Sequence, residues 1–165
     1  MLTGVRRIVG FTLIEVMVAM LILSIGLLGM AGLQAVSLKM NQSALHSSQA
    51  TFLAYDIIDR MRANRQAALD GDYDMVLGCD GPGGADVAAK DLGNWLMTVC
   101  GIDGESSAPG ALPQKSGETG AAIDVDGDHI VTVTLTWFDA RWQQNTDGTD
   151  ADAEAIRSAV IKAEL

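Results

Sequence analysis

The sequence predicts an α+β protein in which a long N-terminal helix, transmembrane over its first half, packs against a small antiparallel sheet domain. Three observations predict it. A run of twenty-three residues from Phe11 to Leu33 is almost wholly apolar. A helical pattern then continues without proline to Leu69, the first proline of the chain being Pro82. Alternating strand patterns and Asp-Gly turn signals are confined to the remainder of the 165 residues. That length suits one modest domain. A mean hydropathy of +0.22 in a chain of net charge −10 reflects segregation of apolar residues from acids along the sequence.

In the apolar run the only charge is Glu15, and the polar interruptions are Thr12 and Ser24. As a helix it spans roughly 34 Å, enough to cross the hydrocarbon core of a bilayer. The competing reading is a secretory signal peptide, since Arg6 and Arg7 precede the run. The run is longer than a usual signal core and no A-x-A type site follows it, so a retained membrane helix is expected. Arg6 and Arg7 then stay cytoplasmic and the acidic remainder is translocated. A carboxylate inside a membrane costs about 3 kcal/mol even on lenient insertion scales, so Glu15 needs an interface or a cationic partner. Cleavage after Gly10 would create such a cation at the amine of Phe11. A helix is a poor geometry for pairing it with Glu15 of the same chain, and pairing with a second subunit's amine is better.

At these residues the sequence resembles the type IV filament proteins, the pilins and pseudopilins. Gly10-Phe11-Thr12-Leu13-Ile14-Glu15 is similar to their processing motif, with a short basic leader, Gly before the cut, Phe after it and Glu fifth in the mature chain. The resemblance implies a pilin-like fold, cleavage between Gly10 and Phe11 by a prepilin peptidase, N-methylation of Phe11, and an assembly role for Glu15. Loss of Arg6 and Arg7 would take the net charge from −10 to −12. The expected organisation is a leader peptide over 1–10, a transmembrane and filament-core helix over 11–33, its amphipathic continuation over 34–69, and a periplasmic head over 70–165. Within the family, the segments Ile25–Gln34, Asp59–Arg65 and Trp137–Asp139 resemble minor pilins of the pilus modification type. Major pilins usually close a disulfide loop near the C-terminus, whereas sixty-five residues follow Cys100 here. The implied role is priming of type IV pilus assembly with other minor pilins at the filament tip. The implied partners are those minor pilins, the major pilin, the prepilin peptidase and the inner-membrane assembly machinery. The protein would be single-pass in the inner membrane and then part of a surface pilus.

The helical continuation carries Ala50, Ala54, Ile57 and Met61 at spacings of four, three and four, flanked by Leu53 and Ile58. This is one apolar face, opposed by Gln49, Asp56, Asp59, Arg60 and Asn64. A helix from Phe11 to Ala68 is too long for one bilayer crossing, so its outer half should hold the head domain. Gly26, Gly29 and Gly32 recur every three residues. They suit close helix packing in a membrane, or a segment that loosens on entering a filament.

Residues 70–154 hold seventeen acids against Lys90, Lys115 and Arg141. Asp86 is positioned to cap a helix running to about Val99, with Val87, Leu92, Trp95, Leu96 and Val99 on its apolar side. Residues 123–125, a turn at Asp126-Gly127 and residues 130–138 read as a hairpin, with Val131, Val133, Leu135 and Trp137 alternating with threonines. A last strand is expected over 155–163. Cys79 and Cys100 bracket the short helix, and in an oxidising compartment a disulfide between them is expected over two separate thiols.

Other chemistry has little support. Asp124, Asp126 and Asp128 imitate the start of a calcium loop, but Gly127 is misplaced for an EF-hand and Leu135 stands where the closing Glu belongs. Asp147, Asp150, Asp152 and Glu154 form a second acidic group. No metal or other cofactor is expected at either. His46 and His129 lack an evident nucleophile or ligand partner, so no catalytic residue is assigned and no enzyme is expected. Trp95, Trp137 and Trp142 read as core or rim residues. So acidic a domain repels phosphate, which argues against direct nucleic-acid binding. The alternatives carried forward are a type II secretion pseudopilin and a membrane-tethered periplasmic binding protein.

Overall fold

The computed structural model describes residues 10–101, 110–115, 117–139 and 155–165. It contains helix α1 (Leu13–Ala63), the short α2 (Arg65–Leu69), strand β1 (Met75–Gly78), helix α3 (Val87–Cys100), and strands β2 (Gly120–Val125), β3 (Ile130–Phe138) and β4 (Ile156–Glu164). The chain divides into two compact units, 1–41 and 42–165. The described part of the first unit is the N-terminal stretch of α1 and the three residues before it.

In the second unit the sequence-derived face of α1 is the buried one. Ala50, Leu53, Ala54, Ile57, Ile58 and Met61 all enter the core. They meet Leu92, Trp95, Leu96 and Val99 of α3, and Ile123, Val131, Val133, Leu135 and Trp137 of the sheet. Removing each of the larger aliphatic side chains from water contributes roughly 1.5–3 kcal/mol. Helix and sheet therefore share one core, and the α+β arrangement holds as expected.

The sheet is a four-stranded antiparallel meander in the order β1-β2-β3-β4. The β2–β3 hairpin pairs Val125 with Val131 and Gly120 with Thr136. Its turn is set by Asp126, whose Oδ1 accepts from the N–H groups of Asp128 (3.0 Å) and Ile130 (2.9 Å). An aspartate folding back on its own turn is a well-suited solution where the chain must reverse tightly. His129 takes the left-handed conformation there, with φ 64°.

Four details differ from the sequence reading. The helix does not run unbroken to Leu69, because Asn64 leaves helical geometry (φ −120°, ψ 50°) between α1 and α2. Its side-chain amide instead donates to the Tyr73 hydroxyl at 3.3 Å, an asparagine satisfied outside the helix rather than within it. Strand β1 was not anticipated, since four residues with no clean alternation give no periodic signal. β2 begins three residues earlier than expected, with Gly120 against Gly78, where a Cβ would collide with the Gly78 backbone. Val87 is 59% exposed, and Ala88 and Ala89 take the inward positions at the start of α3.

Two polar ties fasten α3 to α1. The Trp95 indole Nε1–H donates to the Leu53 carbonyl at 2.9 Å in the core. The buried Tyr73 donates its hydroxyl to Asp91 Oδ2 at 2.8 Å, and Arg60 lies 3.7 Å from the other Asp91 oxygen. Burial pushes the Tyr73 phenol above its ordinary value, with Asp91 adding to the shift and Asn64 and Arg60 opposing it.

Candidate functional site

The candidate site is the start of α1. Gly10, Phe11 and Thr12 precede the first helical residue, so the Gly10–Phe11 peptide lies in non-helical chain. Phe11 is 82% exposed. Thr12 starts the helix: its Oγ1 accepts from the Glu15 N–H at 3.3 Å, and its carbonyl accepts from Glu15 (3.1 Å) and Val16 (3.3 Å). Thr12 and Glu15 stand in the Thr-x-x-Glu spacing of a capping box. The spacing is readable in the sequence alone. The carboxylate sits in the first turn, where the helix dipole favours negative charge.

From Leu13 to Leu33 the apolar side chains are exposed all round the helix, from Val16 at 45% to Leu13 at 78%. A helix apolar on every side requires apolar surroundings. This one is long and apolar enough to cross a membrane, which fits a single-pass anchor. The one hydroxyl between Leu13 and Leu33 is satisfied locally, Ser24 donating to the Met20 carbonyl at 2.7 Å. A Cβ at Gly26, Gly29 or Gly32 would meet only open space, so nothing among the described residues requires glycine there.

Cys79 and Cys100 form a disulfide, with an S–S distance of 2.07 Å and Cα atoms 6.0 Å apart. It joins the strand-side end of the 79–100 segment to the last residue of α3. The remaining sequence candidates have structural work to do. Asp126 builds the hairpin turn, His46 Nδ1 lies 3.3 Å from Gln49 Oε1, and Trp95 and Trp137 are in the core. Among the described residues no group of three His, Cys, Asp or Glu side chains is placed to hold a metal. Arg6, Arg7, Arg141, Trp142 and the acidic group Asp147, Asp150, Asp152 and Glu154 lie outside the described residues. Asp74 has its carboxyl pushed up by burial and by the neighbouring Asp124, while a hydrogen bond from the Val125 N–H works in the opposite direction.

Residues 10–31 match the family model for the prokaryotic N-terminal methylation motif. The match coincides with the non-helical Gly10–Phe11 junction and the apolar start of α1, and it supports a type IV pilin-like family, whose members are structural rather than catalytic. No curated protein and no solved structure matches the chain.

Proposed function

We propose that the protein is a minor pilin, similar to the type IV pilus modification protein PilV, which primes pilus assembly with other minor pilins and sits at the filament tip. The observation that supports the pilin-like part of this reading is the methylation motif of residues 10–31 on a helix that is apolar all round; the minor-pilin part rests on the resemblance of Ile25–Gln34, Asp59–Arg65 and Trp137–Asp139. In the proposed sequence of events, the prepilin peptidase cuts between Gly10 and Phe11 and methylates the new amine of Phe11. The mature subunit waits in the inner membrane with residues 70–165 in the periplasm. It then passes into a filament in which its apolar helix exchanges lipid for neighbouring helices.

Glu15 sets the register of that exchange. An unpaired carboxylate in an apolar filament core costs several kcal/mol, whereas one placed against a neighbour's positively charged Phe11 amine is neutralised. Pairing thus discriminates correct axial offsets from incorrect ones. The Glu15→Ala variant is expected to be cleaved and methylated normally, as read by mass spectrometry, and to be depleted from sheared pili. Normal incorporation of the variant would refute the role of Glu15, and an uncut Met1 or unmethylated Phe11 in the wild type would refute the pilin reading as a whole.

A type II secretion pseudopilin shares the processing motif. Deletion separates the two: loss of surface pili and twitching with intact protein secretion identifies the pilus, and the reverse identifies the secretion system. A membrane-tethered periplasmic binding protein would show neither phenotype.

A further inference from the structure

β4 is the last strand of the sheet and, among the described residues, pairs only with β3, through nine unbroken register pairs from Ile130 with Glu164 to Phe138 with Ile156. The hydrogen-bond phase of the ladder is fixed at both ends: Leu165 N–H donates to the His129 carbonyl, and Asp139 N–H donates to the Ala155 carbonyl. Facing pairs in an antiparallel ladder alternate between exchanging hydrogen bonds and not. The odd-numbered residues of β4 therefore direct N–H and C=O toward β3, and Ile156, Ser158, Val160, Lys162 and Glu164 direct theirs away. The carbonyl of Glu164 is already taken by Arg62, which donates to it at 3.1 Å. A free edge remains over 156–162, unpaired by any strand among the described residues. Ser158, Val160 and Lys162 are exposed along it, Val160 at 56%.

Native proteins usually protect such an edge by shortness, a bulge, a proline, charged side chains or a covering helix or loop. The opposite edge does so: β1 has four residues and an irregular register. β4 has nine residues, no glycine or proline and no bulge, and its protection is limited to the charged side chains of Arg157, Lys162 and Glu164.

We propose that the 156–162 edge pairs antiparallel with the same edge of a second copy of this chain, joining two sheets into one across a two-fold axis. The segment that Arg62 leaves open is symmetric about Ala159. Centred there, Ile156 faces Lys162 of the second copy and Ser158 faces its Val160, so the residues with free backbone groups are the ones that meet. Arg157 faces Ile161, Ala159 faces itself, and no like charges are opposed. Two neighbouring registers are worse. One centred on Lys162 sets two ammonium groups face to face, and one centred on Val160 brings the second strand against the Glu164 carbonyl, where the Arg62 guanidinium already sits. A self-complementary patch of this kind closes as a dimer and leaves only the short, irregular β1 edge at each end of the joined sheet. The argument rests on the sheet alone and does not depend on assignment to a pilus.

The test uses the full chain in detergent micelles with its native disulfide formed. Light scattering is expected to give a dimeric protein mass, and Val160→Pro a monomeric one, because the Val160 N–H points away from β3 and its loss leaves the β3–β4 ladder intact. Independently, Ala159→Cys is expected to form an intermolecular disulfide under mild oxidation at least tenfold faster than Ala163→Cys, which faces no cysteine in this register. A monomeric wild type, a Val160→Pro protein that stays dimeric, or equal cross-linking of the two cysteine variants would overturn the proposal.

Discussion

Removing the Cys79–Cys100 bridge should lower the stability of the second unit by about 3 kcal/mol. The bridge closes a loop with a sequence separation of 21 residues. The chain-entropy relation applied to that length gives about 3 kcal/mol at 25 °C. The loop contains α3, which brings Leu92, Trp95, Leu96 and Val99 into the core. Without the bridge, α3 is held by packing, by the Trp95–Leu53 hydrogen bond and by the Tyr73–Asp91 contact. The perturbation is Cys79→Ala together with Cys100→Ala, which avoids placing a hydroxyl at the nearly buried position of Cys100. Urea unfolding of the full chain in micelles, followed by tryptophan fluorescence, reads the effect, since Trp95 and Trp137 are both buried. With a urea dependence of roughly 1–3 kcal/mol per molar, the midpoint should fall by about 1–3 M. Dithiothreitol should reproduce the loss in the wild type and leave the double variant unchanged. Coincident midpoints for oxidised wild type and double variant, with equal slopes, would show that α3 is anchored without the bridge and refute the reasoning.

Gly120→Ala should destabilise the protein by at least ~1 kcal/mol, because Gly120 has φ +142° and an added Cβ would run into the Gly78 carbonyl. Hydrogen exchange should rise selectively at residues 75–78, where β1 depends on that approach. Asp74 provides a pH test. Its carboxyl is raised in the folded protein, so the folded state binds the proton more tightly and this contribution to stability declines as pH rises from the ordinary value of 3.8 through the raised one. Asp74→Asn, which can still accept from the Val125 N–H, should lack that decline, and the difference between the two urea-midpoint profiles over the acid range measures it.

The elements with strong periodicity were legible in the sequence. The α1 face from Ala50 to Met61, the inward residues Val131, Val133, Leu135 and Trp137, and the Asp86 cap, which accepts from the Ala89 N–H at 3.3 Å, all follow from local pattern. The features that escaped depend on distant partners. Asn64 breaks the helix because Tyr73 is there to receive its amide. β1 exists because β2 supplies a ladder for it, and nothing in Met-Val-Leu-Gly alone demands a strand. The motif at Gly10–Glu15 was the most legible part of the candidate site, since its residues are consecutive. The capping role of Thr12 lay in the same six residues and emerged only from the hydrogen bonds.

The strand order of the sheet has a consequence for how the domain is built. Each strand lies beside the one that precedes it in the chain, so no strand has to be inserted between two others. A chain delivered N-terminus first can enlarge its sheet by addition at one side, which limits the loop entropy spent on each step. The bond from Arg62 to the Glu164 carbonyl is the exception, spanning 102 residues. It can form only after β4 has docked, so it acts as a closing latch between the helix and the edge of the sheet. A chain ending before Ile156 would lack that latch and would leave β3, with its buried Val131, Val133, Leu135 and Trp137, as the open rim of the sheet.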